Sequence, residues 1–167
     1  MSELSDLLER YRRGAELLAM ATTGGAGAVL DFKPEGHPWS MRQLVCHLAD
    51  AEAVAVMRFR QMLAEENPTL QQFDDALWME KLDYAKRKVS VALETFRRLR
   101  ADNYDLLKDL PESEFARVGT HTKDGATTLR VSVEWFAEHL EEHVREIQAV
   151  RAVYKEFRAK ELAAQGS

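Results

Sequence analysis

Two histidines one helical turn apart are the residues of this sequence whose spacing most directly suggests chemistry. His139 and His143 stand at positions i and i+4, which places two side chains on one face of a helix. Large apolar residues recur around them at steps of three and four, and His143 fills the slot of this repeat between Leu140 and Ile147. Two imidazoles on the inward face of a helix are two ligands of a metal site that needs a third.

A third histidine, His47, lies beside the apolar stripe of a different predicted helix. It stands roughly 10 Å along that helix, and His139 and His143 stand roughly 16 to 22 Å along theirs, at about 1.5 Å per residue. If the two helices run parallel, a modest stagger brings the three rings to one level. Three imidazoles in an apolar bundle would be costly to protonate, whereas a metal ion uses their neutral nitrogens. The sequence therefore predicts a site of three histidines.

Three known metal motifs offer alternatives. A di-iron carboxylate bundle needs Glu-x-x-His, but the positions three residues before the histidines hold Leu44, Phe136 and Leu140. The zincin pattern His-Glu-x-x-His fails because position 140 is leucine. The inverted pattern His-x-x-Glu-His is present with Glu142, yet that class takes a downstream glutamate on a much larger fold. We interpret this match as accidental, while Glu142 could still act as a base beside a metal.

The remaining candidate residues have an ordinary structural interpretation. His37 and His121 lie in connections and are expected to be loop residues, although either could line the mouth of the site. His37 precedes Trp39, a loop aromatic that can wall a pocket. Cys46 adjoins His47, but neighbours on a helix point about 100° apart, so it is predicted to be a small buried residue rather than a ligand or nucleophile.

Four long helices with the same three-and-four spacing must position these residues. A Ser40–Gln43 capping box opens the second helix, Thr128 caps the fourth, and Ser2 can cap the first. The predicted helices span residues 3–22, 40–65, 81–109 and 128–159. This pattern predicts an all-α protein, a four-helix up-and-down bundle that forms one domain over residues 1–167.

The connections between these helices are longer than the loops of about 2–8 residues usual in bundles, which indicates functional loops over one end. A short helix is expected at 73–78, and a hairpin or lid around Lys123-Asp124-Gly125. The tail Ala-Ala-Gln-Gly-Ser, residues 163–167, is expected to fray. Apolar residues outside the four helices, notably Phe73 and Trp78, could form the interface of a homodimer.

Composition restricts the function further. The chain has 167 residues, 46% of them apolar and 31% charged, which is typical of a soluble globular domain. A net charge of −5 argues against nucleic-acid binding. No apolar run is long enough for a membrane span and no signal peptide is visible. One cysteine, Cys46, excludes an internal disulfide, so we expect a cytoplasmic protein.

Several stretches also resemble a known family. They are Trp39-Ser-Met-Arg-Gln-Leu-Val-Cys-His47-Leu-Ala-Asp50, Arg58-Phe-Arg, Glu65-Glu-Asn-Pro68, and Thr128-Leu129 followed by His139-x-x-x-His143. Together they resemble the DinB/YfiT-like family of metalloenzymes, over roughly residues 5 to 155. The resemblance implies a four-helix bundle whose metal, zinc, nickel or iron, is bound by His47, His139 and His143, and it also implies a homodimer.

The resemblance does not specify a single reaction. Some members of the family are S-transferases that use a low-molecular-weight thiol such as bacillithiol, others depend on mycothiol, and many have no known activity. The segment 39–68 is most similar to the YfiT branch, which resembles bacillithiol transferases. That branch often has further histidines where this sequence has Cys46, Glu142 and Glu146.

A metal ion on three neutral imidazoles supports two reactions on a small-molecule substrate. It can activate a thiol for transfer or a water for hydrolysis, and the sequence does not choose between them. Acidic residues near the mouth, Glu138, Glu142 or Asp50, are candidates for proton transfer, and Asp50 and Glu52 are otherwise expected to be solvated or to contact the ligands. The non-enzymatic alternative is a stress-response bundle that binds metal or ligand without turnover.

Overall fold

A computed structural model describes residues 3–165 of the chain, so the proposed Ser2 cap and the last two residues of the tail lie outside the described residues. Two 3-10 turns, at Tyr84–Lys86 and Glu112–Ala116, supplement the regular elements. The elements in chain order are α1 Glu3–Thr22, α2 Ala28–Asp31, α3 Met41–Ala64, β1 Thr69–Leu70, α4 Asp75–Lys81, α5 Val89–Leu107, β2 Val118–His121, β3 Gly125–Thr128 and α6 Leu129–Gln165.

The four long helices, α1, α3, α5 and α6, pack into a bundle, which confirms the predicted all-α fold. Each buries an apolar stripe, and the buried side chains form two clusters along the bundle, one around Phe59 and Phe136 and the other around Phe96 and Leu140. The main packings join α3 to α5, α5 to α1, α1 to α6 and α6 to α3. Two pairs of helices, α1 with α3 and α5 with α6, therefore lie mostly diagonally across the bundle, whereas α3 and α5 are neighbours.

Contacts between the helices fix their directions, and in two of them, Arg151–Ala21 and Arg42–Arg87, the arginine donates to a main-chain carbonyl. These contacts are Arg10–Glu141 and Arg151–Ala21 between α1 and α6, Arg42–Arg87 and Arg60–Asp102 between α3 and the α5 segment, and His47–His139 and Phe59–Phe136 between α3 and α6. Thus α1 is parallel to α6, α3 is parallel to α5, and α3 is antiparallel to α6. The order is not the simple alternation of an up-and-down bundle, because the long connection 65–88 carries the chain back along the bundle before α5 begins.

The connections contain more structure than the sequence indicated. The third long helix begins at Val89 rather than near residue 81, because Asp83 takes a left-handed backbone conformation, with φ of 50°, that a helix cannot continue through. The predicted short helix is α4, displaced by a few residues. The predicted hairpin is β2–β3, and β1 adds a parallel strand to it through the pairs Thr69 with Thr120 and Leu70 with His121.

The capping residues predicted for α3 and α6 form the expected hydrogen bonds. Ser40 and Gln43 form both bonds of the capping box that opens α3, and the Thr128 hydroxyl accepts from the Val131 amide at 3.2 Å at the start of α6. α6 continues to Gln165, six residues beyond the predicted end. In the described part of the chain, no helix is both long and apolar enough to cross a membrane.

Candidate metal centre

The three predicted histidines converge on one point between α3 and α6. His47 projects from the first turns of α3, and His139 and His143 project from successive turns of α6. The Nε2 atom of His139 lies 3.0 Å from Nε2 of His47 and 3.1 Å from Nε2 of His143. A ligand atom from each of the three residues lies within 4.8 Å of the others. α3 and α6 are antiparallel rather than parallel. Their packing therefore sets the level at which the three rings meet, and no stagger of parallel helices is needed.

Burial keeps two of these rings neutral. Desolvation lowers the pKa of His47 to about 3, with repulsion from His143 as the smaller cause. Desolvation also lowers the pKa of His139 to about 2, assisted by His143, His47 and the Arg100 charge. Near neutral pH these imidazoles therefore carry a lone pair rather than a charge, which is the form that binds a metal.

The donor set fits a metal ion better than it fits internal hydrogen bonding. A neutral ring nitrogen offers either one hydrogen or one lone pair, so three converging Nε2 atoms cannot all satisfy one another. Two nitrogens bound at about 2.0–2.1 Å to a tetrahedral zinc ion lie roughly 3.3–3.4 Å apart, close to the observed separations. In addition, Nδ1 of the buried His47 has no hydrogen-bond partner among the described residues.

Aromatic rings surround the imidazoles. The Trp135 ring stacks on His139, with centroids 4.6 Å apart and planes at 13°. Trp39 packs against His47 at 4.8 Å and lies nearly parallel to the His143 ring at 5.9 Å, while its role as the wall of a pocket stays a prediction. These rings restrict the orientations of the histidines and reduce access of water from the side.

One carboxylate, that of Glu146, contacts the triad. Its Oε2 atom lies 3.1 Å from Nδ1 of His143, one turn away on the same helix. A carboxylate that accepts the Nδ1 hydrogen fixes the tautomer in which Nε2 keeps its lone pair. Sequence reasoning had noted Glu146 without assigning it this contact, although the i, i+3 spacing from His143 was the available signal.

The acidic residues predicted near the site lie in different environments. Glu142 is exposed and Glu138 pairs with Arg10 at 3.7 Å on the surface of α1 and α6. Asp50 accepts from the Tyr84 hydroxyl, which holds it against the 3-10 turn. Glu52 was expected to be solvated or to contact the ligands, and this was wrong, because it is buried in the bundle core.

The other candidate residues, Cys46, His37 and His121, lie in three different environments. Cys46 is fully buried, burial raises the pKa of its thiol, and Sγ lies 3.9 Å from the Tyr84 carbonyl, as expected of a packing residue. His37 is a half-buried loop residue outside the cluster. His121, by contrast, lines a pocket beside the triad.

That pocket lies between α6, the short sheet and the segment that leads into α4, and its volume is about 530 Å³. The imidazoles of the triad do not line it. Phe73 and Trp135 line it and also contact His47 and His139, so these two aromatic rings form the wall that the pocket and the triad share. Phe73 also packs on Trp78 at 4.9 Å, and the homodimer expected through these two side chains stays a prediction.

Two charged residues of this pocket were missed by sequence reasoning in this role. Asp75 lines it, and desolvation raises the pKa of its carboxyl, opposed by the nearby His143. Arg58 lines it from α3 and is nine-tenths buried. Neither has a local sequence pattern that sets it apart from a solvated charge, because the pocket is formed by segments distant in the chain.

Known proteins resemble this chain in sequence. A model of the DinB superfamily matches residues 10–147. A protein of Oceanobacillus iheyensis named a "putative metal-dependent hydrolase" is 27% identical over 121 residues, which cover 72% of this chain and 70% of that protein. A Bacillus cereus protein of the same description is 30% identical over 113 residues, which cover 68% of this chain. The alignment spans 65% of the length of that Bacillus protein, slightly less than two thirds.

One solved structure shares the fold. YfiT from Bacillus subtilis, described as a probable metal-dependent hydrolase with an unusual four-helix bundle topology, superposes with a TM-score of 0.85. The superposition covers 93% of this chain and 90% of YfiT, at 23% sequence identity. At that identity the likeness shows a common fold.

Proposed function

We propose that this chain, which belongs to the DinB superfamily, is a metal-dependent hydrolase that binds one divalent transition-metal ion through His47, His139 and His143. The observation that carries the proposal is the convergence of the three Nε2 atoms, at separations of 3.0 and 3.1 Å, beside a pocket. The names of the Oceanobacillus and Bacillus relatives favour hydrolysis for the region that aligns. Imidazole ligands suit zinc, nickel, iron or copper, and the family resemblance favours zinc, nickel or iron among them.

The chain's own residues prepare the site. When bound there, a divalent ion supplies Lewis acidity, which polarises a carbonyl and lowers the pKa of water or of a thiol. Glu146 holds His143 in the tautomer that binds a metal. Phe73 and Trp135 offer apolar surface for the body of a substrate, and a cavity of about 530 Å³ accepts a small molecule.

Proton transfer during hydrolysis has two candidate residues. Glu142 adjoins His143 in the chain and is exposed, so it could exchange protons with solvent. Asp75 lines the pocket, and desolvation raises its pKa toward the range in which a general base is effective. We propose Glu142 as the base, with Asp75 as the competing assignment.

A second candidate function is transfer of a low-molecular-weight thiol. Among residues 3–165, the only carboxylate hydrogen-bonded to the triad belongs to Glu146, and it is engaged with His143. This arrangement also suits a thiol, because a thiol coordinated to a metal ion would release its proton to solvent without a protein base. Since Cys46 is buried against Tyr84, the thiol would have to arrive with the substrate.

Metal content and turnover test both candidates. Untagged protein should contain one zinc, nickel or iron ion per chain by elemental analysis. Hydrolysis of a panel of small esters and amides should stop on treatment with a chelator and return with the metal. Conjugation of cysteine to 1-chloro-2,4-dinitrobenzene measures the thiol reaction in the same preparation. Protein that binds no metal would overturn the proposal, and metal-loaded protein without either turnover would identify a binding bundle without catalysis.

A further inference from the structure

Arg58 is a buried cation in the pocket wall, and within residues 3–165 no carboxylate forms an ion pair with it. Its side chain is 9% exposed. The two hydrogen bonds that it makes in this part of the chain both use Nη2, one to the Gln71 carbonyl at 2.9 Å and one to His121 Nε2 at 3.1 Å. Its Nε is buried without a partner. Since a guanidinium has five N–H donors and a buried charge is ordinarily paired, Arg58 retains the capacity to bind an anion.

The neighbours of Arg58 do not compensate its charge. Phe73 and Phe136 present their rings at 6.0 and 5.8 Å, which stabilises the cation only in part because the rings are neutral. The nearest acidic group along the hairpin, Asp124, lies 3.0 Å from His121 Nδ1 and is mostly exposed. Burial lowers the pKa of Arg58, and the negative charge of Asp124 opposes this shift only in part.

Phe73 links Arg58 to the triad. Its ring lies 6.0 Å from the Arg58 guanidinium and 6.3 Å from the His47 ring, measured to the ring centroids. One aromatic ring therefore separates the Arg58 end of the pocket from the metal centre. A molecule that places an anionic group at Arg58 lies against Phe73 and Trp135, the wall that also contacts His47 and His139.

We propose that Arg58 binds the carboxylate of the substrate, so that this site takes small carboxylic acids whose reacting bond lies several bonds from the carboxylate. The planar guanidinium fork matches a carboxylate in two parallel hydrogen bonds. A phosphate dianion fits less well, because Asp75 and Asp124 line the same pocket and offset the positive charges of Arg58 and Lys123. The choice of substrate class rests on the proposed hydrolase function, whereas binding of the carboxylate does not require the metal.

Binding to metal-free protein isolates this interaction from the metal. The probes are N-benzoylglycine and 4-phenylbutyrate, each paired with its uncharged primary amide and titrated calorimetrically in the presence of a chelator. The wild-type protein should bind each acid at least about tenfold more tightly than its amide, as expected of a hydrogen bond to a charged group. Arg58→Met should reduce the acid to the affinity of the amide, and Arg58→Lys should retain part of the preference.

A matched control is Arg60→Met, which removes a guanidinium that pairs with Asp102 on the outside of the same helix. This variant should keep the wild-type preference. Equal or undetectable binding of acid and amide to the wild type would overturn the proposal, as would a preference that persists in Arg58→Met. Inorganic phosphate that binds as tightly as the acids would overturn the specificity for carboxylate. Because no metal is present, failure of these experiments is distinct from failure to bind metal or to turn over substrate.

Discussion

Two polar clusters lie inside the same bundle, and they differ in whether their hydrogen bonds are complete. In the first, Glu52 accepts from Arg100 at 3.0 and 2.7 Å, from the Tyr11 hydroxyl, and from Asn103 at 3.0 Å. All four residues are at most 2% exposed. Arg100 also donates to the main-chain carbonyls of Tyr11 and Phe136, so its charge is surrounded by acceptors.

The second cluster, the histidine triad with its pocket, is left incomplete. The Nε2 atoms of the triad face one another with too few hydrogens, and within residues 3–165 Nδ1 of His47 has no partner and Arg58 has no carboxylate. Buried polar groups are ordinarily satisfied, so unsatisfied groups of this kind favour a partner from outside the chain. The comparison indicates that the completed cluster stabilises the bundle, and it supports our proposal that the incomplete one binds ligands.

The largest expected effect is loss of the metal. Replacing His47 by alanine removes one of three ligands, so metal content should fall from one ion per chain to a small fraction, and activity should fall by more than the roughly 10–100-fold typical of changes around the ligands. His139→Ala and His143→Ala should behave in the same way. Elemental analysis and circular dichroism check the loss of metal in a folded protein. His37→Ala is the control and should keep the metal, whereas full occupancy in His47→Ala would refute the triad.

The next largest effect concerns the complete cluster. Arg100→Met leaves the Glu52 carboxylate buried without its cation, which should lower the free energy of unfolding by about 3–5 kcal/mol in urea denaturation. Adding Glu52→Gln to this variant should recover part of the loss, because the unpaired charge is then removed. Arg97→Met, on the exposed face of the same helix, should remain close to wild type.

Metal content should distinguish Arg100→Met from the histidine variants. The fraction of this variant that is folded should still contain its metal, because Arg100 is not a ligand. A variant that keeps its stability but loses the metal would reverse the assignment of roles to the two clusters.

The two clusters also differ in how far the sequence predicted them. His143 stood out because a polar residue interrupted an apolar repeat, and its partner His139 was one turn away, so the ligands could be found locally. Glu52 and Arg100 are 48 positions apart and each is the kind of charge that normally faces solvent. Their pairing depends on the parallel packing of α3 and α5, which no local pattern encodes.

In the fold, too, features determined by neighbouring residues were predicted and features determined by distant segments were not. The four apolar stripes and the caps at Ser40 and Thr128 predicted the long helices, because these signals act within a few residues. Helix direction was not predicted, since it depends on the route of the connection 65–88. The parallel strand β1 is two residues long and exists only through its pairing with β2, so its sequence carries no periodicity to detect.

A smaller effect is expected around the ligands. Glu146→Gln weakens the acceptor for the His143 Nδ1 hydrogen, so metal affinity should fall by about 10–100-fold in competition with a chelator of known affinity. Glu142→Gln is the matched control on the same turn, because it is exposed and forms no contact with the triad in the described residues. It should keep wild-type affinity, and a fall in turnover at unchanged affinity would support its role as a base. Equal affinity in both variants would refute the contact between Glu146 and His143.

The smallest predicted effect has the opposite sign to that of Arg100→Met. Desolvation raises the pKa of Asp75 in the folded protein, so the folded state binds a proton more readily than the unfolded state does. Wild-type stability should therefore decrease as pH rises through the interval from the unfolded pKa to this raised pKa, because ionised Asp75 is disfavoured in the pocket. Asp75→Asn cannot ionise, so in metal-free protein its thermal midpoint should exceed that of wild type at pH 7 and match it at pH 3, where the carboxyl is protonated in both states. A lower thermal midpoint for Asp75→Asn at pH 7 would mean that Asp75, like Glu52, stabilises the fold. A higher midpoint together with reduced turnover would mean that the Asp75 carboxyl serves the chemistry of the pocket at the expense of stability.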